Sequence, residues 1–455
     1  MDSLSDAVLS GAGPVELERA ELPESFAAAH LRVEDVDAFQ GVADKDVRKT
    51  LRVGDVPMPE LAPDEVLVAV MASSVNYNTV WSATFEPIPT FRFLASYGKR
   101  GGWAKRHDQP FHVLGSDAAG VIVRTGAGVR RWGVGDHVMV SAACVDDQEA
   151  AIQADGMLGD HQLAWGYETN FGGLAHYCVA RASQLIPKPP HLTWEESATI
   201  PACAGTSYRM LVSDRAARMK QGDIVLIWGA SGGIGGYAVQ FVKHGGGIPV
   251  GIVGSERKAA AARALGCDVV INRAELGLGE GDNDDIEQVI LDGKRLGAVV
   301  RREVGDDPHI VFEHVGQATF GMSVFVVRRG GVVVTCGSST GYRHTFDNRY
   351  LWMKLKRIVG SHVANLQEQW ECSRLFRLGR IMPLISDLYP LAEIGEATRL
   401  MQLNDHIGKV GVLCLAPQPG MGVTDPQTRA RLGEERLRPL RSFAVNGPGA
   451  LTVGW

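Results

Sequence analysis

The stretch Ile224–Gly236, IVLIWGASGGIGG, constrains what this chain can fold into more than any other. An apolar run as long as one buried strand meets a glycine turn, and YAVQFVKH continues with helical spacing. Gly229, Gly232 and Gly235 stand at G-x-x-G-x-x-G intervals. Glycines so placed let the backbone turn tightly and approach a pyrophosphate at a helix N-terminus, where unpaired N–H groups attract anions. An ordinary strand-to-helix turn satisfies the spacing as well. A second apolar run, IPVGIVG, follows the helix, and the whole order reads as a dinucleotide-binding βαβ unit.

The end of that second run bears on which dinucleotide binds. NAD-specific folds place Asp or Glu there to hold the ribose 2′-hydroxyl. Here the position is neutral Val253, followed by Gly254-Ser255-Glu256-Arg257-Lys258. Ser255, Arg257 and Lys258 suit a 2′-phosphate and favour NADPH, with Glu256 as the objection. A solvated helix start explains the same charges.

With 455 residues the chain has room for two domains. Its 46 basic and 52 acidic residues leave a net charge of −6, which gives no case for a nucleic-acid or membrane partner. No apolar run reaches the ~18 residues of a membrane span. The acidic N-terminus lacks a signal pattern, so the expected compartment is the cytoplasm. Seven cysteines without C-x-x-C pairs argue against a zinc ribbon or disulfide framework, and no structural metal is expected.

Residues 1 to about 50 read as helical or irregular and polar, and a β-rich region starts at Glu65. LIPKPPHLTWEES leads to a helix expected over about Ser197–Lys220. Strand candidates then alternate with helices: IVLIW, IPVGIVG, DVVIN, IVFEHV and GVVVTCG. The expected fold is α/β: a Rossmann-type doubly wound parallel sheet plus a β-rich GroES-like catalytic domain. The expected division is 1–205 catalytic, 206–348 nucleotide-binding, and 349–455 returning to the catalytic domain with an irregular tail from about Ala416.

This order resembles the medium-chain dehydrogenase/reductase superfamily over roughly residues 30–415. LGSDAAGVIVRTGAGVRRWGVGDHV and AGTSYRML carry the likeness. Zinc-dependent members have Gly-His-Glu where this chain has Gly115-Ser116-Asp117, and a serine hydroxyl is a poor zinc ligand. SSVNYNTVWSATFEPIPTF, LAWGYETNFGGLAHYC and FDNRYLWMKLKRIVGSHVAN narrow the resemblance to the crotonyl-CoA carboxylase/reductase family. That resemblance implies NADPH-dependent reduction of a 2-enoyl-CoA with CO2 addition to an alkylmalonyl-CoA, by a homotetramer built as a dimer of dimers.

It also implies a site. Asn78 would donate its amide to one oxygen of CO2, while Glu168 and His362 hold a water for the other. Tyr167 occupies a position that is usually Phe. Around the cofactor it implies Thr206, the turn residues Gly229, Ser231, Gly232, Gly233, Ile234 and Gly235, then His314, Gly316, Cys336, Gly337 and Ser338. Arg349 and Tyr350 would lie near the CoA nucleotide. Each has a plainer reading: Asn78 satisfying a turn, Glu168 capping a helix, His362 bonded to a carbonyl in the core, Cys336 merely passing the cofactor.

Ala164 and Val363 stand where crotonyl-specific relatives typically carry large apolar residues, so a wider acyl pocket is expected, with products suited to polyketide extension. The rival enzyme reading is an NADPH-dependent enoyl-CoA or quinone reductase without carboxylation, which Tyr167 keeps open. A catalytically silent NADPH-binding protein is the rival from another class.

Overall fold

Six parallel strands form the sheet that the glycine turn belongs to. In the computed structural model, which describes residues 2–279, 284–445 and 450–451, they are Ile224–Trp228, Ile248–Val253, Val269–Asn272, Ile310–Glu313, Val332–Thr335 and Arg357–Gly360. Their order across the sheet is third, second, first, fourth, fifth, sixth, the order of a dinucleotide-binding fold. The first five are the runs expected from their Val/Ile content, which suits strands covered on both faces. Trp228, Val250, Leu296, Val311, Phe320 and Val333 share the core on one side.

The chain divides into two compact units: Met1–Ala202 with Asn365–Arg377 and Ile385–Trp455, and Cys203–Ala364 with Leu378–Leu384. The nucleotide-binding unit therefore runs past the expected residue 348. The physical reason is Arg357–Gly360, which pairs in parallel with Val332–Thr335 and extends the sheet.

In the first unit a seven-stranded sheet is built around Glu65–Ser74, whose ten residues are all buried. It pairs antiparallel with Ala118–Thr125, Tyr177–Arg181 and Lys409–Leu413. Lys409–Leu413 brings the C-terminal part of the chain into the middle of this sheet.

Three local expectations are corrected. The N-terminal region is not only helical or irregular: Ser25–Arg32 is a strand between Arg52–Pro57 and Phe111–Val113, where pairing overrides the helix propensity of its alanines. The helix expected over Ser197–Lys220 is two helices, Trp194–Ala198 and Pro201–Val212, with proline opening the second. The tail forms helices Pro426–Leu432 and Glu434–Leu437, held by charge. Arg429 donates to both oxygens of the buried Glu196 at 2.8 and 3.0 Å, and Arg438 donates to Glu196 at 2.6 Å.

Candidate active site

The glycine turn has the geometry its spacing implies. Gly229 lies at φ +60°, and a Cβ there would also meet the His314 ring at 3.0 Å. Gly232 precedes the helix Gly233–His244, and a Cβ on Gly235 would sit 2.2 Å from the Gly229 carbonyl oxygen. Only glycine allows this strand-to-helix approach. Ser231, Gly233 and Ile234 complete a turn that opens a twelve-residue helix, whose N-terminal N–H groups suit a pyrophosphate. The cradle thus fits a dinucleotide. Thr206 is buried on the helix Pro201–Val212, beside Ser207, whose hydroxyl donates to the Ile234 carbonyl at 2.8 Å.

A second wall of the same unit is held by Glu313, which is fully buried. Its carboxylate accepts from Val315 N at 2.7 Å, Gly316 N at 3.1 Å, Thr319 Oγ1 at 2.9 Å and Ser323 Oγ at 2.7 Å. Burial raises its pKa against these donors. Ser323 in turn accepts from Trp228 Nε1 at 2.8 Å, tying the loop to the strand before the glycine turn. His314 Nε2 donates to the Trp228 carbonyl at 2.8 Å, and burial lowers its pKa, so the ring is neutral with Nδ1 unprotonated. Gly316, at φ +97°, leaves room for Ser338, whose Oγ a Cβ would meet at 2.8 Å. A Cβ on Gly337 would lie 3.5 Å from the His314 carbonyl oxygen. Gly229, His314, Gly316, Gly337 and Ser338 are thus brought together. Burial pushes the Cys336 thiol up to about 12, which keeps it protonated and unreactive.

At the end of Ile248–Val253, Ser255 caps the next helix by accepting from Lys258 N at 3.3 Å. Glu256 is engaged by Arg263 at 2.7 Å along the helix flank. The carboxylate that weighed against a 2′-phosphate therefore has a cationic partner, and Arg257 is exposed.

In the first unit, Asn78 lies on the helix Tyr77–Thr84 that follows the buried central strand. Its Nδ2 donates to Ser116 Oγ at 2.7 Å. Tyr167 and Glu168 lie on a turn after Leu163–Ala164, and the Tyr167 ring packs against Phe93 at 5.8 Å. Glu168 caps no helix: its carboxylate accepts from Ala164 N at 2.7 Å and its N–H returns to the Ala164 carbonyl at 2.8 Å. Burial raises its pKa, opposed by that bond and by Arg100. The turn is fastened by Gly166 N donating to Thr169 Oγ1 at 3.0 Å and by His112 Nε2 donating to the Thr169 carbonyl at 3.1 Å.

His362 and Val363 belong to the second unit. Burial, then the Arg209 charge, lowers the His362 pKa, although the residue keeps an exposed surface. Val363 is buried at φ +49°, an outlier for a β-branched residue. Arg349 is exposed and engaged by Asp347 at 2.6 Å, and Tyr350 packs edge-on to Phe325 at 4.7 Å.

Sequence reasoning missed the group beneath Ser116. Asp117 is fully buried and accepts through Oδ2 from Ser74 and Asn76, both at 2.7 Å, and from Lys409 at 3.1 Å. Its Oδ1 accepts from Ala202 N at 2.8 Å. A lone lysine opening the apolar strand KVGVL was the available signal. Among the described residues, no group of three or more His, Cys, Asp or Glu side chains is placed to hold a metal ion.

This pairing of a β-rich unit with a dinucleotide-binding unit defines a medium-chain dehydrogenase/reductase. Two family models match: the alcohol dehydrogenase GroES-like domain over residues 62–190 and the zinc-binding dehydrogenase over 233–377. The chain is 48% identical over 435 residues to a crotonyl-CoA reductase of Streptomyces avermitilis, covering 95% of this chain and 98% of the relative. It is 37% identical to a crotonyl-CoA carboxylase/reductase of Cereibacter sphaeroides, covering 82% and 86%. The solved 2-octenoyl-CoA carboxylase reductase CinF, in complex with NADP and 2-octenoyl-CoA, is similar at TM-score 0.96 and 67% identity, covering 97% of this chain and 99% of that one. The chain belongs to the crotonyl-CoA carboxylase/reductase family.

Proposed function

We propose that the chain is an NADPH-dependent 2-enoyl-CoA carboxylase/reductase that accepts acyl chains longer than crotonyl and forms an alkylmalonyl-CoA. The observation that carries this reading is the 67% identity, over 97% of the chain, to a structure holding NADP and 2-octenoyl-CoA. By family resemblance Ala164 and Val363 are small where crotonyl-specific relatives carry large apolar residues, which would leave room for further methylenes, each contributing about 0.8 kcal/mol on burial. A product with a long side chain suits polyketide extension.

The turn Gly229–Gly235 would hold NADPH, which would supply the hydride for Cβ of the enoyl thioester. What the chain must then do is admit CO2 to Cα and withhold protons. A hundredfold preference needs about 2.7 kcal/mol between the two barriers. Asn78 contributes by donating from its amide to one CO2 oxygen, which strengthens as negative charge develops there. By family resemblance Glu168 and His362 hold a water for the other oxygen. A neutral His362 suits that task, because an imidazolium would be a proton source beside an enolate. Tyr167 has its ring against Phe93, and exclusion of its phenol from Cα is part of this proposal. Catalysis proceeds without zinc: Ser116 serves Asn78, and the Asp117 carboxylate is filled by four donors. Arg349 and Tyr350 are assigned to the CoA nucleotide, where a guanidinium suits phosphate and a phenol ring suits adenine.

A homotetramer is proposed as the assembly. The edge strand Arg357–Gly360 and the exposed Trp352 and Leu355, at 61% and 71%, support self-association on the nucleotide-binding unit. Light scattering on the purified protein tests it.

The deciding experiment is mass spectrometry of products from NADPH and 2-enoyl-CoAs of four to eight carbons, with and without bicarbonate. Carboxylated products, most abundant with the longer chains, are expected. Purely reduced acyl-CoA at saturating bicarbonate overturns the proposal in favour of a plain reductase.

A further inference from the structure

Ser116 stands where zinc-dependent relatives carry a ligand, and it has acquired a different partner. We infer that Ser116 is a positioning residue that restrains the Asn78 amide through one of its N–H groups, and so sets the split between carboxylation and simple reduction; this rests on the carboxylating function proposed above.

The two ends of a primary amide are nearly the same size and opposite in hydrogen-bonding character. An amide free to rotate holds neither N–H in a fixed direction, and only a steadily aimed N–H stabilises the charge that develops on CO2. The Ser116 hydroxyl, buried and 2.7 Å from Asn78 Nδ2, accepts one N–H and leaves the other with a fixed direction.

Two features hold Ser116 to this role. The neighbouring Asp117 carboxylate is already filled by Ser74, Asn76, Lys409 and Ala202 N, so it does not compete for the amide. The backbone on the other side is locked as well. Gly115, at φ +115°, donates to the Gly166 carbonyl at 3.2 Å and accepts from Gly173 N at 2.9 Å. Ser116 thus sits on a turn clamped between the buried ion pair and the segment that carries Tyr167 and Glu168.

The test reads the ratio of carboxylated to reduced product at fixed bicarbonate. Ser116→Ala is expected to lower that ratio about tenfold, equal to ~1.4 kcal/mol, a larger fall than in total NADPH consumption. Ser116→Thr, which keeps the hydroxyl, is expected to restore most of it. In an Asn78→Ala background the same Ser116→Ala change should alter the ratio by less than about twofold, because its effect runs through the amide. A wild-type ratio in Ser116→Ala, or an undiminished further fall in the Asn78→Ala background, overturns the inference. Should Ser116→Ala fail to fold by its melting curve, Ser116→Cys, nearly isosteric and a weak acceptor, is read in the same way. Wild-type protein yielding no carboxylated product sinks the parent function, an outcome distinct from a normal wild type with an indifferent Ser116→Ala.

Discussion

Gly115 donates its backbone N–H to the Gly166 carbonyl at 3.2 Å, and neither residue tolerates a side chain at this crossing. A Cβ on Gly166 would lie 2.0 Å from the Gly115 carbonyl oxygen, and one on Gly115 would lie 2.4 Å from Leu174 N. The crossing joins the turn that supports Asn78 to the turn that carries Tyr167 and Glu168. These elements are far apart in sequence and meet at this crossing backbone to backbone.

Gly166→Ala should therefore separate the two turns. The residue lies at φ +68°, so the substitution carries backbone strain as well as the clash. The expected cost is about 2–4 kcal/mol of stability, with a disproportionate loss of carboxylated product. Denaturant unfolding together with product analysis checks both.

Lys409→Met should leave Asp117 charged, buried and short of a counter-ion. Breaking one side of a buried pair typically costs about 3–5 kcal/mol. Lys409→Met with Asp117→Asn should recover part of that loss, since no net charge then remains buried. Chemical denaturation of Lys409→Met, Asp117→Asn and the double variant measures the coupling, and equal losses in Lys409→Met and the double variant would refute it.

Arg429→Met should loosen the tail. Glu196 is fully buried and depends on Arg429 and Arg438 for compensation. The expected loss is on the order of 3 kcal/mol, with faster proteolysis after residue 420. Limited proteolysis followed by mass mapping tests this.

Stability should fall as pH drops below neutrality. Burial lowers the pKa of His112 to about 4 and of His107 to about 3, from 6.5. Below pH 6.5 the unfolded chain takes up protons that these buried rings refuse, so each ring costs about 1.4 kcal/mol per pH unit on acidification. The His112 contribution levels off near pH 4 and that of His107 near pH 3. Melting curves from pH 7 to 5 should show the decline, and His112→Gln should flatten it.

Val363→Phe should narrow substrate range toward crotonyl-CoA. Val363 is buried at φ +49°; if it lines the acyl pocket as proposed, a bulky ring there would take up acyl space, and discrimination of one methylene runs to roughly 1–3 kcal/mol. Competition between crotonyl-CoA and octenoyl-CoA measures the change; undiminished octenoyl-CoA turnover removes Val363 from the pocket wall.

Local pattern made much of this protein legible. Five of the six parallel strands announce themselves as short Val/Ile runs, and the glycine turn dictates its geometry because only glycine fits at Gly229 and Gly235. The loops after two further strands were partly legible too, since Gly316 and Ser338 follow the Val/Ile runs that end at Glu313 and Thr335. The strand Ser25–Arg32 was not, because its alanines favour helix and only pairing with distant segments overrides them. Tertiary structure alone decided that Asn78 is held by Ser116, that Asp117 is neutralised by Lys409, and that Arg429 and Arg438 bind the tail to Glu196. The reason is physical: strands and glycine turns are specified by residues adjacent in the chain, whereas buried charges and amides take their partners from across the fold, wherever desolvation leaves them no water.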